Sequence, residues 1–205
     1  GFELADELGA TFIPVDPARE TFPVSATAVR ENPYGYWSYL PAPVRAYYTK
    51  RICVIQNEGE GLAARLAREF DTVTAPDYAA FVRHLFEREI APEEQTLVRN
   101  GQRASEEALA RRANRVMFSI ADADSVRLRT SAAYRETAGN AELGGTDPGP
   151  DGPAYHLVLV SAACEASVNA EELRRCFQAP VLPLSEQHAR ELGDARAAVQ
   201  ELITV

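Results

Sequence analysis

Lysine is almost absent from this chain of 205 residues, because Lys50 is the only one and every other basic side chain is an arginine or a histidine. Any mechanism that requires a lysine must therefore use Lys50. Acidic residues outnumber basic ones, and the formal net charge at pH 7 is −9. A nucleic-acid groove needs clustered cations that displace counterions from phosphates, so we expect no DNA partner.

Long apolar runs and paired cysteines are also missing. No apolar run approaches the roughly 20 residues that cross a membrane, and the acidic N-terminus is not typical of a signal peptide. We therefore expect a cytoplasmic protein without a membrane partner. Cys53, Cys164 and Cys176 show no CxxC spacing, which indicates reduced, mostly buried thiols. None of the three histidines has a second ligand at metal spacing, so we expect no metal cage.

Strand-like and helix-like patterns alternate along most of the chain. The continuous apolar run at 52–55 is typical of a strand buried on both faces of a parallel sheet, and further strands are predicted at 115–120 and, again buried, at 155–160. Shorter strands are predicted at 11–15 and 181–184. Strand alternating with helix predicts an α/β fold, a parallel sheet with helices on both faces. The predicted helices cover residues 2–8, 26–30, 62–70, 78–90, 92–112, 125–136, 170–177 and 185–203.

Two segments interrupt this pattern. Residues 40–43 (LPAP) form a proline-stiffened connection, and the aromatic cluster at 34–39 before it favours packing over a ligand platform. We therefore divide the chain into residues 1–50, the end of one unit, and residues 51–205, a second unit. Glycine, proline and aspartate are concentrated at 139–153, which predicts a mobile loop.

Residues 25–30 (SATAVR) place two hydroxyls and an arginine at a predicted helix N-terminus. The partial positive charge of a helix N-terminus, with Ser25, Thr27 and Arg30, makes an anion site chemically reasonable. A helix capped by Ser25 that carries a surface arginine explains the same spacing. The residues alone leave both interpretations open.

Several motifs in order resemble one family. Residues 15–19 (VDPAR) with 25–30 look like the last motif of the nucleotidyltransferase superfamily, and 50–55 (KRICVI) resembles the first strand of a P-loop kinase. Further matching segments are 31–33 (ENP), 39–41 (YLP), 70–72 (FDT), 77–78 (DY), 100–102 (NGQ) and 113–118 (ANRVMF). Together they resemble the C-terminal part of NadR-type nicotinamide-nucleotide adenylyltransferase/ribosylnicotinamide kinases.

The resemblance implies domains and ligands. Residues 1–50 would be the tail of a nucleotidyltransferase-like domain with its connector, and 51–205 a degenerate P-loop kinase-like domain. ATP with magnesium is the implied cofactor, and a nicotinamide nucleotide the implied ligand. The resemblance assigns nucleotide binding to Ser25, Thr27, Arg30, Glu58, Gly59 and Gly61, and substrate binding to Tyr78.

The chain departs from the family at the phosphate-binding loop. A P-loop reads GxxxxGK[ST], where backbone amides cradle phosphates, the lysine neutralises the transferred group and the hydroxyl holds magnesium. Residues 56–64 read QNEGEGLAA, so Gln56 replaces the first glycine, and neither the lysine nor the hydroxyl is present. Lys50 precedes the strand, at its opposite end. Glu58 and Glu60 would repel a triphosphate unless magnesium lay between them.

Other parts of the family mechanism are also incomplete. The family's Asp-Thr-Asp is replaced at 120–122 by Ile-Ala-Asp, so only Asp122 remains. No histidine precedes His84, so the His-x-x-His of an adenylyltransferase is absent. An active kinase would use Asp122 or Asp77 as its base and Glu58 or Asp122 for magnesium.

Three functions remain open at this point. The first is a degenerate relative that binds a nucleotide or a partner, and the second is an active transferase with an atypical site. The third is an assembly module that forms a homo-oligomer or completes a separate adenylyltransferase half.

Overall fold

The computed structural model describes residues 2–13, 16, 18, 20–57, 59, 61–91, 94–122, 155–184 and 188–204. Glu58, the predicted helix at 125–136 and the predicted loop at 139–153 lie outside these ranges. The described part of the predicted strand at 11–15, residues 11–13, has no strand structure. Contacts divide the chain into two compact units, residues 1–40 and residues 41–205, and each is described by itself.

The first unit contains short helices. Helix α1 covers Phe2–Glu7, and Gly9 follows it with φ 60°, a left-handed conformation that glycine adopts without steric cost. Helix α2 covers Ala26–Glu31, and a 3₁₀ turn covers Trp37–Tyr39. Trp37 is buried and stacks on Tyr34, with ring centroids 6.1 Å apart, so part of the aromatic cluster serves packing.

The second unit is built on a sheet of five parallel strands in the order β2-β3-β1-β4-β5. This arrangement confirms the predicted α/β fold. Among the described residues, no helix is long and apolar enough to cross a membrane. The elements are α3 (Ala42–Tyr48), β1 (Lys50–Gln56), α4 (Leu62–Glu69), β2 (Thr74–Ala75), α5 (Tyr78–Phe86), α6 (Gln95–Ala110), β3 (Val116–Asp122), β4 (Leu157–Val160), a 3₁₀ helix (Ala162–Ser167), α7 (Ala170–Phe177), β5 (Val181–Pro183) and α8 (His188–Thr204).

Alternating side chains of the buried strands divide the core between two faces of the sheet. On the first face, Ile52 and Val54 of β1 pack with α4 and α8. On the second face, Cys53 and Ile55 pack with α7, and Met117 of β3 packs with the end of α6. The continuous apolar run of β1 is therefore required, because both faces of this strand are covered.

The strand order places a topological switch point between β1 and β4. The chain leaves β1 towards β3 and β2, whereas it leaves β4 towards β5 on the other side. Ligands of open α/β sheets bind outside the carboxyl ends of the strands at such a point. The carboxyl edge near β1 is therefore the place in this unit where a ligand site is expected.

Candidate functional site

The carboxyl edge of the sheet brings together residues from four segments of the chain. Gln56 ends β1 and lies in register with Asp122, the last residue of β3. Ser161 directly follows β4 and donates its backbone N–H to the Ile55 carbonyl oxygen at 2.9 Å. Asp77 comes two residues after β2. Among the described residues, this edge therefore joins the backbones of both predicted catalytic acids to the end of β1.

Lys50 lies at the other end of the same strand. It begins β1 and pairs in register with Val116, the first residue of β3, whereas the turn into α4 follows Gln56. A strand rises about 3.3 Å per residue, so the whole length of β1 separates this amine from the carboxyl edge. The only lysine of the chain therefore cannot take the place of a P-loop lysine.

The turn from β1 into α4 is closed by the side chain of Gln56. Its Oε1 accepts a hydrogen bond from the backbone N–H of Ala63 at 2.9 Å, and both residues are buried. Ala63 lies in the first turn of α4, where backbone N–H groups have no partner within the helix. In a phosphate-binding loop such N–H groups point at the anion. The Gln56 amide therefore satisfies one of the N–H groups that a phosphate would use at this helix N-terminus.

The residues of this turn do not fit a nucleoside triphosphate bound in the P-loop manner. No lysine, serine or threonine occurs from 57 to 64, so the cation and the magnesium-holding hydroxyl have no equivalent. Gly59 and Gly61 have φ values of 80° and 70°, which explains the two glycines by backbone conformation alone. Among the described residues, no group of three or more His, Cys, Asp or Glu could hold a metal ion.

Asp77 and Tyr78 begin α5. The Asp77 Oδ1 accepts the Ala80 N–H at 3.0 Å and so caps the helix, which accounts for an aspartate at this position. Tyr78 is half-buried, and its ring centroid lies 5.7 Å from that of Phe81. The structure thus places the predicted substrate-binding tyrosine next to the carboxyl edge and gives Asp77 a capping role.

In the first unit, the Ser25 hydroxyl oxygen accepts the Ala28 N–H at 3.0 Å and caps α2. Thr27 and Arg30 are exposed on this helix. The structure therefore shows the helix cap, which the anion-site interpretation and the capped-helix interpretation of this motif both include. The carboxylate of Asp16 accepts the backbone N–H groups of Glu20, Thr21 and Phe22 at 2.8, 3.1 and 2.7 Å, which ties the loop before α2 together.

Comparison with known proteins finds similarity to NadR proteins. No protein-family model matches it. The trifunctional NAD biosynthesis/regulator protein NadR of Escherichia coli K12 is 33% identical over 76 residues, which cover 36% of this chain and 18% of that relative. NadR of Salmonella typhimurium LT2 gives the same identity and coverage.

Two solved structures cover the whole chain. A NadR crystal structure in complex with NAD and AMP-PNP has a TM-score of 0.65 at 21% identity, and one in complex with NR has a TM-score of 0.69 at 20% identity. The resemblance to the NadR-type family is confirmed. The chain spans 65% and 67% of those two structures, and its match covers 18% of the curated relatives.

One feature of this NadR-like chain was not predicted from the sequence: a buried polar cluster of Arg51, Gln102, Glu106 and Tyr155. Each of these residues is less than a tenth exposed. A signal was present in α6, where positions 98, 102, 106 and 110 form a buried stripe at the i, i+4 spacing of one helix face. A glutamine and a glutamate within an otherwise apolar stripe indicate a buried polar network.

Proposed function

We propose that this chain is a catalytically degenerate NadR-type protein. It belongs with NAD metabolism, and it binds a nicotinamide nucleoside, a nicotinamide nucleotide or a protein partner without transferring phosphate. The kinase-like sheet serves as a binding scaffold in this account. ATP with magnesium is not required for its function.

The hydrogen bond from Ala63 N–H to Gln56 Oε1 carries this proposal. A P-loop kinase needs the first N–H groups of this helix for phosphate and a lysine beside them for the transferred group. In this chain the glutamine satisfies one of those N–H groups, and Lys50 lies at the far end of β1. The loss of one of these parts would weaken catalysis, and the loss of both at the same turn supports a non-catalytic role.

The ligand class follows from the relatives. The solved NadR structures hold NAD and AMP-PNP in one case and NR, nicotinamide riboside, in the other. Asp77, Tyr78 and the Asp122 backbone lie at the carboxyl edge, where the first turn of α4 already has one N–H group bonded to Gln56. A ligand that relies on a ring and on hydroxyl groups suits this edge better than one that relies on three phosphates.

Calorimetry and a product assay test the proposal together. The purified chain is titrated with nicotinamide riboside, with nicotinamide mononucleotide and with ATP plus magnesium, and formation of the mononucleotide from riboside and ATP is followed by mass spectrometry. We expect no product and ATP binding weaker than riboside binding. Product formation that is lost in Asp122→Asn would instead establish an active kinase with an atypical site.

A second candidate function is an assembly module, favoured by the first unit. Its large apolar side chains are strongly exposed: Phe2 by 72%, Leu8 by 71%, Ile13 by 74% and Phe22 by 61%. Exposed apolar groups that recur within so short a segment indicate an interaction surface. The proposed occupant is a second copy of the chain or a separate adenylyltransferase half.

Light scattering after size-exclusion chromatography tests this second candidate. A dimer that dissociates in Leu8→Ser with Ile13→Ser, but persists in Tyr47→Ser, would support self-association through the first unit. Tyr47 is 83% exposed in the second unit and serves as the control. A monomer at all concentrations, which also fails to bind an adenylyltransferase domain, would argue against it.

A further inference from the structure

A chain of buried hydrogen bonds ties the beginning of α5 to the central strand. The Tyr78 backbone N–H donates to Gln102 Oε1 at 2.8 Å, and Gln102 Nε2 donates to Glu106 Oε1 at 2.8 Å. The Tyr155 hydroxyl donates to the same Glu106 oxygen at 2.5 Å. Arg51 of β1 forms an ion pair with Glu106 Oε2 at 3.6 Å. Gln102 is thus the link between α5 and the buried polar cluster.

The ring of Tyr78 is fixed from the same helix. Gly101 adjoins Gln102 in α6, and a Cβ on residue 101 would collide with the Cε1 and Cζ atoms of Tyr78. A glycine in a helix interior is unfavourable relative to alanine, so this position requires a specific reason. Close approach of the Tyr78 ring supplies it, and residues 101 and 102 together fix both the ring and the backbone N–H of one tyrosine.

Burying this polar cluster to hold α5 against α6 carries a desolvation cost. A buried ion pair often contributes no more stability than well-packed apolar side chains of the same volume. What the three hydrogen bonds through Gln102 and Glu106 add is a defined geometry. The geometry defined here is that of the first turn of α5, which carries Asp77 and Tyr78 beside the carboxyl edge.

We propose that Gln102 is a positioning residue for ligand binding: with Gly101, it holds Tyr78 where the ring contacts a ligand at the carboxyl edge of the sheet. This inference rests on the proposed function, because it takes Tyr78 as the ligand contact. The remaining members of the cluster act through Gln102 by fixing its amide orientation. The amide oxygen must face α5 because the amide nitrogen donates to the Glu106 carboxylate.

Two variants separate the backbone contact from the ring contact. Gln102→Met removes the acceptor of the Tyr78 N–H at nearly unchanged volume. Gly101→Ala leaves that acceptor in place and displaces the ring. Val199→Ala is the matched control, because Val199 is fully buried in α8 on the opposite face of the sheet and its truncation lowers stability without touching α5.

Amide hydrogen exchange and calorimetry with nicotinamide riboside are the measurements. In Gln102→Met we expect exchange at the Tyr78 amide to accelerate at least tenfold, and the riboside Kd to rise about tenfold. In Gly101→Ala we expect the same rise in Kd with the Tyr78 amide still protected. Val199→Ala is expected to lower the melting temperature about as much as the two α6 variants do. Its Tyr78 amide exchange rate and its riboside Kd are expected to stay at the wild-type values.

Three results would overturn the proposal. The first is unchanged exchange at the Tyr78 amide in Gln102→Met, and the second is a Kd in Val199→Ala that rises as much as in the two α6 variants. The third is a Gly101→Ala variant with wild-type affinity. A wild-type chain that binds no riboside would remove the nicotinamide nucleoside from the proposed function and with it the ligand-positioning role of Gln102, whereas the exchange measurement decides separately whether Gln102 holds α5.

Discussion

Replacing Gln56 with leucine tests the closed turn between β1 and α4. The substitution keeps a side chain of similar size at the end of β1 but removes the acceptor of the Ala63 N–H. Ala63 is fully buried and Gln56 is 6% exposed, so water cannot easily replace the lost partner. The variant therefore leaves an unsatisfied donor at the start of α4.

The expected cost follows from the burial of this donor. A buried N–H without a partner costs about 1–3 kcal/mol, and loss of a helix cap costs about 1 kcal/mol. These two estimates describe the same bond, so they are not added. We expect the free energy of unfolding to fall by about 2 kcal/mol, which lowers the melting temperature of a chain of this size by roughly 4–8 °C.

Urea denaturation followed by circular dichroism measures this change. Gln200→Ala is the control, since Gln200 is exposed on α8 and surface substitutions usually stay within about 0.5 kcal/mol. A Gln56→Leu variant as stable as the control would refute the reasoning, because the Ala63 N–H would then have found another partner. Added pyrophosphate is expected to stabilise neither protein.

Three further predictions concern other parts of the chain. Burial, with the positive charge of Lys50, lowers the pKa of His156 to about 4. As the pH falls, the unfolded chain therefore takes up a proton near pH 6.5, before the folded chain does. The free energy of unfolding should fall by about 1–2 kcal/mol between pH 6.5 and 4, after allowance for solvent screening. In His156→Gln, urea titrations at several pH values should show a free energy of unfolding that changes less between pH 6.5 and 4. A pH dependence equal to that of the wild type would contradict this prediction. Glu106→Ala should cost about 3–5 kcal/mol by leaving a buried arginine unpaired, as measured by urea denaturation, and a loss below 1 kcal/mol would show that the arginine reaches water. Ser25→Ala should destabilise α2 by about 1 kcal/mol, seen as faster amide exchange over residues 26–31, whereas Thr27→Ala, at an exposed position, should not.

The fold was predictable where apolar residues form a periodic pattern. The runs at 52–55 and 155–160 correspond to β1 and β4, and α7 coincides with the predicted helix at 170–177. Strand β2 was missed because it contains only Thr74 and Ala75, too short for any periodicity. The predicted helix at 78–90 ends at Phe86 instead, because the next residue, Glu87, adopts a left-handed conformation with φ 51°. Glutamate is not a residue type that predicts this conformation.

The site was predictable only in part, because its bonds join residues far apart in sequence. The sequence indicated that Gln56 replaces a glycine and that the lysine is missing, but it did not indicate that Gln56 caps α4. The contact between Tyr78 and residues 101–102 spans more than twenty positions, so only the folded chain brings them together. Burial likewise decides the state of Tyr155: desolvation, and next the Glu106 carboxylate, raise the pKa of its phenol well above the usual range, and the hydroxyl stays protonated to donate.

The proposed function is ligand or partner binding without phosphate transfer. The most direct test incubates the purified chain with nicotinamide riboside, ATP and magnesium, and quantifies nicotinamide mononucleotide by mass spectrometry against a boiled sample. The closed turn at Gln56 and the distant Lys50 predict no mononucleotide above the boiled background. Sustained turnover that disappears in Asp122→Asn would contradict the account and establish an active kinase built on a different phosphate site.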